Sequence, residues 1–282
     1  MLFFRGILFV LVVFLFSGVR GQKYLSDGKE ALPELELGIL GIHFQVPDYP
    51  GSDHSRSFTV PFPYGVYRGK YIQADDEEGV RSDLFENGWV KLGVSLRGGL
   101  PSYSEDNIIR KDMPDLHWLG EFGPKLTFYL YQRGDFKIHI DTPVRFVFST
   151  NGQHSEEQGF VFSPFLSIRK GGFLKNAQWL FRVNSAWSTK KLMQYFYDIE
   201  PRYVTADRQL YNAQPGLLQQ SVVVGWNYHY DGKTTYFAGF KKQFFVKATN
   251  TQSDLHVVDE NISFAVGVTW LMYESQERQQ LR

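Results

Sequence analysis

The sequence contains no cysteine in its 282 residues, which excludes disulfide staples, thiolate-held zinc, thiol catalysis and lipid attachment at an N-terminal Cys. Past residue 21 it also lacks any apolar run of about 18 residues, the length a helix needs to cross a bilayer, so no transmembrane helix is expected. An excess of charge of one sign is missing too: 30 Lys and Arg balance 30 Asp and Glu, and nothing points to a nucleic-acid partner. Catalytic signatures are equally absent. The seven histidines are scattered, without a His-Glu-x-x-His pair, a Gly-x-Ser-x-Gly elbow or a Walker loop, so neither catalysis nor a cofactor or metal is expected.

What the chain does have is aromatic side chains, 17% of all residues, in a sequence whose mean hydropathy is only −0.29. Apolar and polar residues are therefore finely interleaved. Residues 1–21 stand apart: Arg5, an apolar stretch over 6–16 and small residues before Gln22 read as a secretory signal peptide. Its removal would take two basic residues, Arg5 and Arg20, and no acidic one, leaving a net charge of −2.

The interleaving has period two. Phe136, Ile138, Ile140, Thr142, Val144, Phe146 and Phe148 alternate with Lys137, His139, Asp141, Pro143, Arg145 and Ser149, which gives a strand one oily and one charged face. The same alternation predicts strands over 35–46, with a phase slip near Gly41 suggestive of a bulge, and over 58–66, 90–96, 116–130, 160–168, 179–187, 222–228 and 262–272. Weaker segments lie at 71–75 and 80–86, and 236–247 is mixed. The total is about twelve strands. Pro61 and Pro63 share one parity of the second strand and call for an edge where their missing N–H groups are not needed.

The joins also alternate. Tight turns at 68–70, 87–88, 132–135, 171–176 and 231–233 are separated by longer connections at 47–56, 98–115, 151–158, 188–216 and 248–259. Bacterial outer-membrane barrels have this asymmetry, with short periplasmic turns and long outer loops. A lipocalin-like barrel or a sandwich would alternate as well, and could carry the charged face in water. The lipid test favours the membrane: Arg or Lys on a lipid face costs roughly 2 to 4 kcal/mol at mid-bilayer, and the strong strands place none there. Lys91, Arg97, Glu121, Lys125, Lys137, Asp141, Arg145, Arg169 and Arg182 all fall on the opposite parity, inside the barrel. His117 and His139 with Glu121 and Asp141 suggest a luminal site, but an interior ion network is the simpler reading.

Two loop motifs stand out. Pro47, Asp48, Tyr49, Pro50, Gly51, Ser52 and Asp53 follow the first strand, and Tyr195, Phe196, Tyr197, Asp198, Ile199, Glu200 and Pro201 open a run that continues to Tyr211 through Gly216. Prolines, Gly and Asx residues build rigid turns, while tyrosines on a long loop either form a binding surface or fold the loop over the barrel mouth. With Val60, Pro61, Phe62 and Tyr64 and a closing Gly267, Val268, Thr269 and Trp270, these motifs resemble the MipA/OmpV family over nearly all of the mature chain. That resemblance implies an outer-membrane protein. The family's named member is a scaffold joining a lytic murein transglycosylase to a murein synthase, and other members are described as antigens or adhesins. Two features depart from the family: its usual Tyr-Gly-Val-Ser reads Tyr197, Asp198, Ile199 and Glu200, and a polar tail follows Tyr273, which implies an internal insertion signal.

The expected organisation is a signal peptide (1–21), a periplasmic N-terminal segment (22–33), an all-β antiparallel transmembrane barrel (34–273) and a polar tail (274–282). Such a barrel sits in the outer membrane of a Gram-negative bacterium, with outer-membrane lipid as its solvent. The expected role is that of a non-enzymatic scaffold in peptidoglycan assembly, with murein transglycosylase and murein synthase as partners. A small-solute channel or surface-binding adhesin is the alternative, and a membrane-embedded hydrolase a distant third.

Overall fold

The computed structural model describes residues 31–68, 73–75, 79–81, 85–172, 174 and 176–280, so the expected signal peptide lies outside the described residues. The strands are β1 (Ala31–Pro33), β2 (Leu35–Pro47), β3 (Ser55–Arg68), the short β4 (Gln73–Asp75), β5 (Gly79–Arg81) and β6 (Phe85–Glu86), then β7 (Val90–Gly99), β8 (Trp118–Arg133) and β9 (Phe136–Thr150). There follow β10 (Ser155–Phe162), β11 (Phe165–Gly171), β12 (Ala177–Ser188), β13 (Gly216–His229), β14 (Thr234–Phe244), β15 (Glu260–Glu274) and β16 (Arg278–Gln280), with one helix, α1 (Lys190–Tyr197).

Every pair in the large sheet is antiparallel, and the order runs β5, β4, β3, β2, β15, β14, β13, β12, β10, β9, β8, β7, β6. β10 and β11 lie end to end between β9 and β12, interrupted at Ser163 and Pro164, and together make the one strand expected there. The two weak segments are the short β4 to β6. The sheet curls into a tube: β5 lies against β7, and Lys241 of β14 has Arg97 of β7 and Glu121 of β8 as its electrostatic neighbours across the interior. The fold is thus the expected antiparallel barrel of about twelve strands.

Alternation sets the faces. Phe122, Phe160, Phe181, Val222, Phe240 and Trp270 are exposed on the outside, a continuous apolar belt that water does not favour and hydrocarbon does. Rings pack along it, Phe146 lying 5.5 Å from Phe122 and 5.6 Å from Phe160. Lys91, Lys125, Asp141, Arg145 and Arg169 are buried on the parity opposite this belt.

One hairpin is inverted. The apolar residues of β3 were expected on the lipid side, but register with β2 turns Phe58, Val60, Phe62 and Tyr64 inward, where they join buried Leu40, Ile42 and Phe44 and, from neighbouring strands, Val223, Phe237 and Ala265. Ser57, Thr59, Pro61 and Pro63 point outward instead, and His43 bonds Thr59 (Nδ1 to Oγ1, 2.7 Å) on that outer face. A single strand's alternation cannot tell which face is which; the partner's residues decide. The slip near Gly41 reflects the same inversion, since β2 pairs with β3 without a break, and the bulge lies on β15 between Leu271 and Tyr273. The prolines sit where expected, on a strand whose other edge pairs only at Tyr67 and Arg68 among the described residues.

The rhythm of the joins also needs one amendment. Residues 151–158 were expected as a long connection, but β10 begins at Ser155, leaving a tight turn in which Asn151 Oδ1 accepts the N–H groups of Gln153 and His154. Glu156 and Glu157 belong to a strand that stands clear of the apolar belt, so both its faces are polar. At the opposite end the first and last described segments are tied together. β1 pairs with β16, Glu34 N donates to Glu277 O (2.9 Å), and Leu35 and Ser275 bond each other.

The lipid face predicts its own test. Val266→Arg, at the middle of β15, should destabilise the protein refolded into lipid vesicles by about 2 to 4 kcal/mol. An unchanged unfolding midpoint in the vesicles would contradict the assignment of that face.

Candidate functional site

The long outer connections fold inward over the barrel mouth as a cap, and both loop motifs are its framework. Pro47 ends β2. Asp48 then takes Arg56 Nε on one oxygen (2.6 Å) and His54 Nδ1 (2.8 Å) and Asn107 Nδ2 (3.0 Å) on the other, tying the β2–β3 loop to the β7–β8 loop. Arg56 also donates to Pro101 O at 2.5 Å. Gly51 adopts φ +87°, a left-handed conformation, and a Cβ there would strike the His256 ring, so glycine is required twice over. Its N–H donates to Asn261 Oδ1 (2.8 Å) and its carbonyl accepts the N–H groups of Val257 and Val258, while Asn261 Nδ2 donates to Ser52 O.

The second motif supplies α1, where the sequence predicts a long connection. Its buried Leu192, Met193, Phe196 and Tyr197 recur at helical spacing and pack with Tyr49, Leu116, Ile199 and Leu255. Inward-facing Val147, Val161, Ala186 and Leu218 continue this core into the barrel wall. The tyrosines are mostly anchors and not a display surface. Tyr49 OH donates to Leu255 O (2.7 Å), Tyr197 OH to Pro50 O (2.8 Å) and Tyr195 OH to His117 O (3.2 Å). Burial pushes all three phenols well above their ordinary pKa, for Tyr49 against an opposing pull from Arg110, so they remain protonated donors.

The motif's two halves pair with each other: Ile199 and Tyr211 exchange backbone bonds, and Asp198 Oδ1 accepts Ala213 N (2.6 Å). The substitution of acid for the family's Gly thus gains a structural partner. Pro201 opens a single 3-10 turn, Tyr211 OH donates to Asn250 Oδ1, and Gly216 opens β13.

Four cap residues had no signal in the sequence. Buried Arg110 donates to Phe196 O and lies 5.4 Å over the Tyr49 ring, Arg208 donates to three carbonyls, and Asn107 and Asn261 bridge loops. Isolated Arg and Asn in a long connection ordinarily face water.

The luminal charges form two groups. Toward the outer half, Arg145 pairs with Glu121 (Nε to Oε2, 2.7 Å) and donates to Ser163 Oγ (2.6 Å), with Arg97 and Arg182 nearby. Toward the tight turns, Thr127 donates to Asp141, His139 Nε2 stands 3.5 Å from Asp141, and Lys91, Lys125, Lys137 and Arg169 occupy adjoining positions. His117 precedes β8 at the outer end, whereas His139 lies opposite Tyr129 toward the other, so no His-Glu-Asp site is assembled from them. Lys241 joins the first group and was hidden in the mixed segment; with Phe240 exposed outside, parity alone would have placed it inward. Among the described residues no three His, Asp or Glu side chains are grouped to hold a metal ion.

Residues 40–272 match the family described as MltA-interacting protein MipA. The chain belongs to this family. No curated protein matches. Solved structures with a similar course of chain include an outer membrane channel from Pseudomonas putida F1 (11% identity, 89% of this chain and 100% of that one, TM-score 0.46) and the Pseudomonas putida toluene transporter TodX (8%, 93% and 97%, 0.35). The outer membrane protease OmpT from Escherichia coli is a third (9%, 86% and 96%, 0.31). Identities and scores this low carry nothing about activity. Family and fold together make the chain an outer-membrane β-barrel.

Two outcomes test the cap. Gly51→Ala should cost more than about 1 kcal/mol, because Ala opposes a positive φ and here also meets His256; the measurement is protease cleavage within residues 189–215, which should accelerate. Burial, partly offset by Asp259, holds the His256 imidazole below its ordinary pKa of 6.5, so the folded cap keeps it neutral. The unfolded cap binds the extra proton, and cap protection against hydrogen exchange should therefore fall as pH drops below about 6.5. His256→Gln should flatten that dependence.

Proposed function

We propose that this protein is a non-enzymatic outer-membrane docking barrel for cell-wall enzymes, holding a lytic transglycosylase of the kind its family's description names and, through it, a murein synthase. The observation that carries this reading is the construction of the mouth. The residues that mark the family are spent on packing the outer opening shut with tyrosines, a helix and an apolar core, which favours a fixed body over a wide solute pore. Function is then sought at the other end, where the periplasmic surface consists of tight turns and the β1–β16 ribbon. A two-stranded ribbon offers backbone donors and acceptors at its edges, the chemistry by which strands recognise partner strands.

The experiment is capture of a lytic transglycosylase from periplasmic extract by the refolded mature protein, compared with a version lacking the residues before Glu34 and after Ser275. The full version should retain the enzyme and the trimmed one should lose it. Recovery by neither version would overturn the docking role, and reproducible unitary currents in planar bilayers would favour the channel alternative.

A further inference from the structure

Inside the barrel, level with the Arg145–Glu121 pair, a cavity of ≈ 20 Å³ is lined by Arg97, Phe165, Arg182, Asn184, Ser221, Val223 and Lys241. Three of these side chains are cationic, and none is anionic. The carboxylate nearest Arg97 and Lys241, that of Glu121, is held by Arg145 at 2.7 Å. Neither Arg97 nor Lys241 makes an ion pair or a hydrogen bond among the described residues, and Arg145 stands as a further like charge beside Arg97. Arg182 stacks its guanidinium 4.3 Å over the Phe165 ring, which fixes it at the cavity wall. Asn184 spends its amide on the carbonyls of Ser163 and Pro164, so among the neutral lining groups the Ser221 hydroxyl is the one available donor.

Like charges gathered in a low-dielectric interior repel one another strongly, and the folded state is relieved by any counter-charge that fits between them. Among the described residues Arg97 and Lys241 have no carboxylate near them besides Glu121. We propose that this cavity binds a small inorganic monovalent anion of halide size, held by Arg97 and Lys241 with the Ser221 hydroxyl as a neutral donor. Size sets the class, since the volume takes one ion or a water and excludes an extended organic anion. The site is independent of the periplasmic docking surface and of the outer cap.

The test uses the full mature chain refolded in detergent, with sodium chloride replaced stepwise by sodium gluconate at constant sodium. The unfolding midpoint should rise saturably with chloride, as linkage to a single site requires. Lys241→Met and Arg97→Gln should each weaken the half-saturating chloride concentration by about tenfold or more, the value of one charge-assisted contact. Glu121→Gln should move it the other way, because the local charge becomes more positive. Crystals of the unaltered protein soaked in bromide should show anomalous density between Arg97 and Lys241, a readout that does not depend on any variant folding. A midpoint indifferent to the chloride-gluconate exchange, a chloride effect that persists undiminished in Lys241→Met, or a cavity without bromide would overturn the proposal.

Discussion

Backbone hydrogen bonding without water is the constraint on which this structure rests. In hydrocarbon an unpaired N–H or C=O has no solvent to turn to, so a strand-built span must pair both edges and close on itself. The pairing of β2 with β15, the first and last long strands, meets it on one side, and on the other β5 comes against β7. Once the sheet is a tube, the parity of each strand becomes a choice between lipid and lumen, and the interior becomes a small volume in which charged groups must answer one another. The Arg145–Glu121 pair and the Thr127, His139 and Asp141 group are answers of that kind.

The cap follows a different logic from the wall. Above the apolar belt, the connections can again fold as a small globular layer, and they do so with means familiar from soluble proteins. A buried carboxylate at Asp48 joins His54, Arg56 and Asn107, tyrosine hydroxyls reach across to backbone carbonyls, and an amphipathic helix lays its apolar side on the mouth. The motifs that make the family recognisable are therefore architectural first. They fix the relation of four loops to one another.

Much of this was legible in the sequence, because the bilayer imposes period two over long stretches. The strands at 90–96, 136–148 and 222–228 emerged with the expected faces. Failures occurred where that rule says nothing. In the β2–β3 hairpin both faces alternate cleanly, but only cross-strand register reveals that Phe58 and Phe62 join Leu40 and Ile42 inside. Glu156 and Glu157 look like loop because their strand has left the membrane. In the connection between β12 and β13, tertiary packing decided between an exposed aromatic patch and a buried one, and the roles of Arg110 and Arg208 depend on carbonyls distant in sequence.

The meeting of β2 with β15 has a consequence for how the molecule is made. Residues near position 40 must wait for partners near position 268, so the seam between them joins segments at opposite ends of the polypeptide. Contacts of such long sequence separation form slowly. Throughout that interval the growing sheet keeps an open margin and an uncovered greasy surface. Delivery of the whole chain to the membrane surface must therefore precede its sealing, and the bonds of Glu34 with Glu277 and Leu35 with Ser275, below the seam, also join the two ends of the sequence.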